Sequence, residues 1–149
     1  MINNNFEKKL KSKEFVFTAE TSPPDSTVRS EITDRVLCLK DLADAINVTD
    51  GASAKSHLSS LVVSSIIKDI EIEPILQLTT RDRNRIAIQS DLLGAWTLNI
   101  QNILCIYGDQ VETGDQPETK EVRDLDTLGV INTANYFKKE KKFPSGRSI

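Results

Sequence analysis

Two acidic residues in this chain follow apolar segments, at places where a carboxyl group could take part in catalysis. Glu20 comes directly after PheValPheThrAla, and Asp109 follows Gly108 at the end of a second apolar run. A carboxyl group at such a position can act as a general acid or set the charge beside a bound ligand. On the residues alone, the simpler interpretations are a solvated glutamate and a turn-forming Gly-Asp pair.

Polar residues also end two other apolar segments. Thr49 and Gln77 each stand at the end of a predicted strand. The carboxyl ends of parallel strands meet at one edge of a sheet, and α/β proteins bind their ligands there. We therefore expect these two residues to share one edge with Glu20 and Asp109.

The elements that must position these residues are four predicted strands and four predicted helices. Short apolar runs predict the strands, and apolar residues spaced three and four apart predict the helices. The strands are expected at 13–19, 44–49, 71–78 and 102–107, and the helices at about 26–41, 54–68, 82–98 and 124–138. The polar loop 110–120 is longer than a plain connection needs, which is typical of a functional loop.

Strands that alternate with helices about every 30 residues predict an α/β fold with a parallel sheet. Both a TIM (β/α)8 barrel and an open doubly wound sheet have this pattern. The chain has neither GxGxxG nor GxxxxGK[ST], and the polar strand ends favour the barrel. A complete barrel takes about 250 residues, so we predict about the first four β/α units, a partial barrel, as a single domain over residues 1–149. We expect the basic tail, 139–149, to be disordered.

Composition argues against several classes of partner. Hydrophobic residues make up 38 % of the chain and charged residues 28 %, which is typical of a soluble globular protein. The net charge is −3 and no basic stripe is present, so we expect no nucleic-acid partner. No apolar run approaches the roughly 18 residues that cross a bilayer, so we expect a cytoplasmic protein. Cys38 and Cys105 have no metal-ligand neighbours, which predicts reduced, packed thiols and no metal site.

The run ArgAspArgAsn precedes the third predicted helix. We expect Asp82 to cap that helix. The neighbouring arginines are expected to be solvated or paired with acids: Arg81, Arg83 and Arg85. The only histidine, His57, is predicted to open the second helix as a surface residue.

Five motifs, in order and with matching spacing, resemble the N-terminal half of the methylenetetrahydrofolate reductase family, closest to the bacterial forms. They are PheThrAlaGluThrSerProPro (17–24), ValThrAspGlyAla (48–52), LeuThrThrArgAspArgAsnArgIle (78–86), GlnSerAspLeuLeuGlyAla (89–95) and TyrGlyAsp (107–109). GlyAspGlnPro and AspLeuAspThrLeuGly follow them. Each motif alone is weakly specific, but their joint order over residues 14–135 is strongly so.

The resemblance implies a flavin-bearing (β/α)8 barrel that acts as an oxidoreductase. In that family NADH or NADPH reduces FAD, and the reduced flavin passes a hydride to 5,10-methylenetetrahydrofolate to give 5-methyltetrahydrofolate. The reaction serves folate one-carbon metabolism and methionine synthesis. The sequence does not identify the residues that would choose NADH over NADPH.

The resemblance also implies roles for individual residues. The glutamate of the family's Glu-x-x-Pro-Pro is the general acid that helps open the methylene bridge, and Glu20 holds that position. Asp109 matches an aspartate near the flavin ring and the folate pterin, and Gly108 would let the backbone approach the ring. Thr49 corresponds to a family threonine at the flavin.

Three positions depart from the family pattern. Gln77 stands where some members place a histidine that contacts flavin, and Tyr107 where some place an arginine; both keep hydrogen-bonding capacity and are expected at the cofactor. Arg123 stands where an aromatic residue beside the adenosine half of FAD is usual. An arginine at this position has a charge in place of the aromatic surface on which adenine would stack.

Two functions of different class follow from this reading. The first is the reductase, with a folate substrate. The alternative is an inactive truncated half-barrel, or a subunit that completes a barrel with another chain. We expect either a homo-oligomer or such a partner, since a lone parallel half-sheet leaves unpaired edges and apolar faces.

Overall fold

The computed structural model describes residues 5–149 and has an α/β architecture. The four strands are β1 (Thr18–Thr21), β2 (Ala45–Val48), β3 (Pro74–Thr79) and β4 (Asn102–Ile106). The helices are α1 (Asn5–Ser12), α2 (Arg29–Leu37), α3 (Ser60–Asp69), α4 (Arg85–Thr97) and α5 (Thr127–Glu140). No helix in this part of the chain combines the length and the hydropathy that a membrane span requires.

The strands form one parallel sheet whose spatial order follows the chain order, β1-β2-β3-β4. Right-handed crossovers that always step in the same direction place their helices on one face of the sheet. A doubly wound sheet reverses its strand order and covers both faces. The predicted α/β fold with a parallel sheet is therefore confirmed, and the arrangement is compatible with part of a (β/α)8 barrel.

The core lies between this sheet and the helices α2 to α5. Beside β2, Ile46 and Val48 are fully buried against α2 and α3. Beside β3, Leu78 packs with α4 and α5 in a second cluster: Ile88, Leu92, Val130 and Phe137. Residues that alternate with these core positions point to the opposite face of the sheet.

We call that opposite face the concave face, after the place that it would have in a (β/α)8 barrel. The side chain of Gln77 on β3 reaches over β2 to Glu20 on β1, with Nε2 3.4 Å from Oε2. Two strand intervals span roughly 10 Å in a flat sheet. Two long side chains can bridge this distance, and the contact is compatible with the curved sheet of a barrel.

The first strand begins later than expected. β1 starts at Thr18, whereas the apolar pattern predicted residues 13–19. Phe15 and Phe17 are exposed, and both backbone groups of Phe17 bond to Asp44 before β2. Glu20 consequently lies within β1 and not after it. Helix α1 was not predicted, because its eight residues are mostly polar.

Two helix starts also differ from the prediction. Asn84, and not Asp82, caps α4: its Oδ1 accepts hydrogen bonds at 3.0 Å from the amides of Ile86 and Ala87. Helix α3 starts at Ser60, so His57 lies in the preceding loop. Its Nδ1 is 2.6 Å from a carboxylate oxygen of Asp25, and its ring is mostly buried, so the prediction of a surface residue at a helix start was wrong.

The two cysteines have different surroundings. Cys38 is exposed at the end of α2, so the prediction of a packed thiol was wrong for this residue. Cys105 is half-buried in β4, and burial raises the pKa of its thiol.

The last helix anchors the C-terminal part of the chain against α4. Asp126 caps α5 by accepting a hydrogen bond from the amide of Gly129 at 2.7 Å. At its other end Lys141 places Nζ 3.9 Å from the centre of the Trp96 ring. Beyond the helix, Phe143 packs edge-on against Phe137, and a bridge between residues 142 and 148 closes a short turn.

Candidate functional site

A row of three polar side chains crosses the concave face near the carboxyl ends of the strands. Glu20 on β1 is the register partner of Asn47 on β2, and Gln77 lies on β3. Asn47 Nδ2 donates to Glu20 Oε2 at 2.7 Å, and Gln77 Nε2 donates to the same oxygen at 3.4 Å. Asn47 faces this side because its neighbours Ile46 and Val48 face the helices.

The chemistry of this row is that of an exposed carboxyl group between neutral groups. Glu20 is exposed, and both donors to its Oε2 are uncharged amides. Asn47 Oδ1 is buried and has no hydrogen-bond partner among residues 5–149. A buried acceptor without a partner is costly unless a ligand or water supplies a donor. The row therefore presents one exposed acidic group, and beside it one buried acceptor lacks a donor.

Thr49, at the end of β2, connects the loops that follow β1 and β2. Its side chain is buried and donates to the hydroxyl of Ser22 at 3.1 Å, while its amide donates to the carbonyl of Thr21. The hydroxyl of Thr49 keeps a lone pair for a further donor.

Asp50, the next residue, is the most heavily bonded carboxylate of this edge. It is 9 % exposed, and its Oδ2 accepts from the amide of Thr79 at 2.9 Å and from Arg83 at 2.6 Å. Its Oδ1 accepts from the hydroxyl of Ser60 at 3.1 Å. Arg83 also donates to Asp91 at 2.7 Å. Burial opposes the charge on Arg83, but the two carboxylates outweigh it and raise its pKa.

Arg81 lies in the loop after β3 and reaches the loops after β2 and β4. It is 4 % exposed and donates to the carbonyl of Gly51 from both terminal nitrogens at 3.2 Å, and to the carbonyl of Asp109 at 3.4 Å. Asp82 accepts two further bonds from it at 2.8 Å. The alternatives left open by the sequence, solvated or paired with acids, are resolved in favour of pairing.

Gly108 and Asp109 form a tight turn after β4. Gly108 has φ +88°, and a Cβ atom there would lie 2.2 Å from the hydroxyl oxygen of Thr79. Only glycine fits this conformation and this space. Asp109 is exposed, and its Oδ2 accepts a hydrogen bond from the amide of Ser53 at 2.8 Å. The carboxylate therefore bridges the loops after β2 and β4.

Tyr107 and Arg123 form a stacked pair beside this turn. The guanidinium carbon of Arg123 lies 3.6 Å from the centre of the Tyr107 ring, and Arg123 also donates to the Tyr107 carbonyl at 2.7 Å. Glu121 pairs with Arg123 and is the first cause of its raised pKa. The flat face of Tyr107 is thus partly covered, although the residue is 53 % exposed.

The predicted site residues share one edge but form two groups. We call the edge formed by the carboxyl ends of the strands, with the loops after them, the carboxyl edge. Glu20 and Gln77 meet on the concave face. Tyr107, Gly108 and Asp109 follow β4, which is next to the strand of Gln77 and at the opposite side of the sheet from the strand of Glu20. The carboxylates of Glu20 and Asp109 have different hydrogen-bond partners.

Sequence reasoning missed three residues of this edge. Asn47 is a polar residue within the apolar strand AlaIleAsnVal, and the two-residue period could have placed it opposite the core. Asp50 and Thr79 each directly follow a predicted strand, 44–49 and 71–78, and neither was assigned a role. Their partners are distant in the chain, so no local pattern marks them.

One cleft of the described residues lies away from this edge. It has a volume of about 580 Å³ between α4, α5 and the start of β4, and it contains Trp96, Asn99 and Lys138. It is at the amino end of the strands, where residues of barrel proteins contribute to stability and not to catalysis. The carboxyl edge, with its unpaired acceptor and acidic groups, remains the better candidate site.

A comparison with protein families identifies one match. The profile of the family described as methylenetetrahydrofolate reductase matches residues 5–144. No individual curated protein matches the chain. The matched range contains every residue of the carboxyl edge described above.

Proposed function

This chain belongs to the methylenetetrahydrofolate reductase family, and we propose that it takes part in the reduction of 5,10-methylenetetrahydrofolate to 5-methyltetrahydrofolate. Membership implies an oxidoreductase. The proposed electron donor is NADH or NADPH, the proposed cofactor is FAD, and the proposed location is the cytoplasm. The product serves one-carbon metabolism and methionine synthesis.

The observation that supports this proposal most is the setting of Glu20. The folate substrate needs a proton on its bridging nitrogen before the methylene bridge opens to an iminium. Glu20 is exposed on the concave face, and its Oε2 accepts bonds from two uncharged amides. Its second oxygen is left for a ligand, which supports our proposal that Glu20 delivers that proton as a general acid.

The polar groups of the carboxyl edge fit the ring portion of a flavin or a pterin. Both rings carry alternating donors and acceptors at their edges. Asn47 Oδ1 offers a buried acceptor, Thr49 a hydroxyl, and Gln77 an amide. Bound FAD would supply hydride transfer between the nicotinamide and the folate. Asn47, Thr49, Gln77 and Gly108 are the residues that we propose to contact its ring.

Asp109 is proposed to act through its charge and not through proton transfer. Its carboxylate is fixed by the amide of Ser53 at the mouth of the turn after β4. A fixed negative charge there would disfavour added negative charge on a ring and would accept hydrogen bonds from pterin nitrogens. Tyr107 is proposed to lie at the same ring, with Arg123 stacked on its other face.

The proposal is tested by purifying the full chain and recording its visible absorbance. Bound flavin makes the protein yellow. In Glu20→Gln we expect reduction of the flavin by NAD(P)H to continue, while turnover of methylenetetrahydrofolate falls by at least about 10²-fold, which is typical of a lost general acid. Glu118→Gln, in the exposed part of the long loop, is the matched control and should keep both activities. Unimpaired folate turnover in Glu20→Gln would show that Glu20 is not the general acid.

The alternative function is a subunit that completes a barrel with another chain, or an inactive half-barrel. The uncovered concave face favours it: Leu104 of β4 is 43 % exposed there, on a face that no helix of residues 5–149 covers. It predicts a colourless protein alone, and an oligomer in light scattering. Absorbance and light scattering on the same sample separate the two functions.

A further inference from the structure

Arg81 occupies a position that the proposed catalytic residues do not explain. It is 4 % exposed, yet its guanidinium donates hydrogen bonds to backbone carbonyls of two neighbouring loops. A Cβ atom on Gly51 would lie 2.4 Å from its terminal nitrogen, so the loop after β2 fits closely around it. Its own carbonyl accepts a bond from the amide of Val122 at 2.8 Å.

These contacts close a ring of interactions around the Asp109 carboxylate. Arg81 holds the carbonyl of Gly51 at 3.2 Å and the carbonyl of Asp109 at 3.4 Å. Two residues after Gly51, the amide of Ser53 donates to Asp109 Oδ2 at 2.8 Å. The position of the carboxylate therefore depends on the loops after β2 and β4, and the guanidinium of Arg81 binds a carbonyl in each.

The chemistry of this position calls for arginine. The planar fork serves Gly51, Asp109 and Asp82 at the same time, from different nitrogens. Its pKa is raised, first by the hydrogen bond from the guanidinium to Asp82, so the group stays charged although burial opposes the charge. A lysine would keep one point charge but could not reproduce the three directions.

We propose that Arg81 is a positioning residue for the Asp109 carboxylate: by binding the carbonyls of Gly51 and Asp109, it sets the contact between Ser53 and Asp109 that orients this carboxylate at the carboxyl edge. This inference rests on the proposed function, in which Asp109 faces the ligand. Arg81 itself is too deeply buried to touch the substrate.

The test compares three variants of the full chain by amide hydrogen exchange in NMR, with no ligand added. In Arg81→Met we expect the Ser53 amide to exchange roughly tenfold faster, because its acceptor is no longer held. Arg81→Lys should behave in the same way. Arg85→Met, which removes an exposed arginine from the same segment, should leave the Ser53 rate unchanged. Wild-type exchange in Arg81→Met would overturn the proposal.

A double-variant cycle asks whether Arg81 acts through Asp109. Asp109→Asn should also speed exchange at Ser53, and adding Arg81→Met to it should produce little further change, because the two residues belong to one chain of contacts. Independent, multiplying effects would contradict the proposal. The Ile67 amide in the core of α3 reports global stability, and its change in rate in each variant is the reference against which the change at Ser53 is measured.

A measurement on the unaltered protein covers the case in which Arg81→Met does not fold. In a clamped guanidinium the terminal N–H groups rotate slowly and give separate NMR signals. We expect this for Arg81 but not for Arg29, which is exposed and bonds only through one terminal nitrogen to Asp69. A freely rotating Arg81 would overturn the proposal. None of these readouts requires flavin, so a colourless protein would count against the proposed function and leave the test of Arg81 intact.

Discussion

At the carboxyl edge, Glu20 accepts hydrogen bonds from two neutral amides on an open face, whereas Asp50 is 9 % exposed beneath two N–H groups of Arg83. The turn carrying Asp109 is held in a similar way, with guanidinium groups on its backbone carbonyls. We call these the open part and the braced part of the edge. In the proposed function this difference has a simple reason: the proposed proton donor, Glu20, has only neutral partners, while the groups that supply shape or charge are held by cations.

The largest expected effect is a loss of stability in the braced part. Asp50→Ala should lower the free energy of unfolding by about 3–5 kcal/mol, because it leaves the largely buried Arg83 and the Thr79 amide without a partner. Urea unfolding followed by circular dichroism measures this. Asp69→Ala removes the exposed pair with Arg29 and should cost less than about 1 kcal/mol. Equal losses of unfolding free energy in the two variants would show that the buried contacts of Asp50 stabilise the protein no more than an exposed ion pair does.

The second prediction separates steric fit from backbone strain in the braced part. Gly108 and Gly146 have nearly the same φ, +88° and +87°, but a Cβ atom would strike Thr79 at the first and meet nothing within 4 Å at the second. Gly146→Ala should cost about 1 kcal/mol for the left-handed backbone, and Gly108→Ala about 3 kcal/mol or more. Matching values in thermal unfolding would mean that the turn after β4 is looser than described.

The third prediction concerns the stability of the open part. Glu20→Gln should change the free energy of unfolding by no more than about 0.5 kcal/mol, because the residue is exposed and a glutamine oxygen can still accept from Asn47 and Gln77. The same urea experiment measures it. A loss comparable with that of Asp50→Ala would erase the contrast between the two parts.

The smallest effect is a pH dependence at the border of the braced part. Asp124 accepts side-chain and backbone hydrogen bonds from Arg85, and these lower its pKa in the folded protein. Its contribution is complete above the unfolded pKa of about 3.9 and is lost as the pH falls through the lower folded value. Stability should therefore fall more steeply below about pH 4 in the parent protein than in Asp124→Asn. Parallel acid limbs of the unfolding curves would contradict this.

The order of the elements could be predicted from the sequence because it depends on local periodicity. Core positions such as Ile46, Leu78 and Ile88 recur at strand and helix spacing, so four β/α units followed. The boundaries were less certain for a physical reason. Phe15 and Phe17 are apolar and strand-like, but they are exposed and outside the ladder, and no pattern of hydrophobicity distinguishes this case from a buried strand.

The site could be predicted only where it is local in the chain. Gly108 and Asp109 were identifiable as a strand-end turn, and Glu20 by its place near the end of an apolar run. Asp50 and Arg83 were not, because they are 33 residues apart and their pairing exists only once β2 and β3 are adjacent. The roles assigned to the predicted residues at a cofactor stay predictions.

The single tryptophan of the chain, Trp96, lies on α4 with Lys141 above its ring, at the end of the sheet opposite the carboxyl edge. Its fluorescence therefore reports how α5 docks on α4, and an emission change should accompany detachment of the last helix. A compound bound near Glu20 is at the other end of the sheet, so we do not expect it to quench Trp96 by direct contact. Emission and absorbance thus observe opposite ends of the molecule, and one titration can follow both.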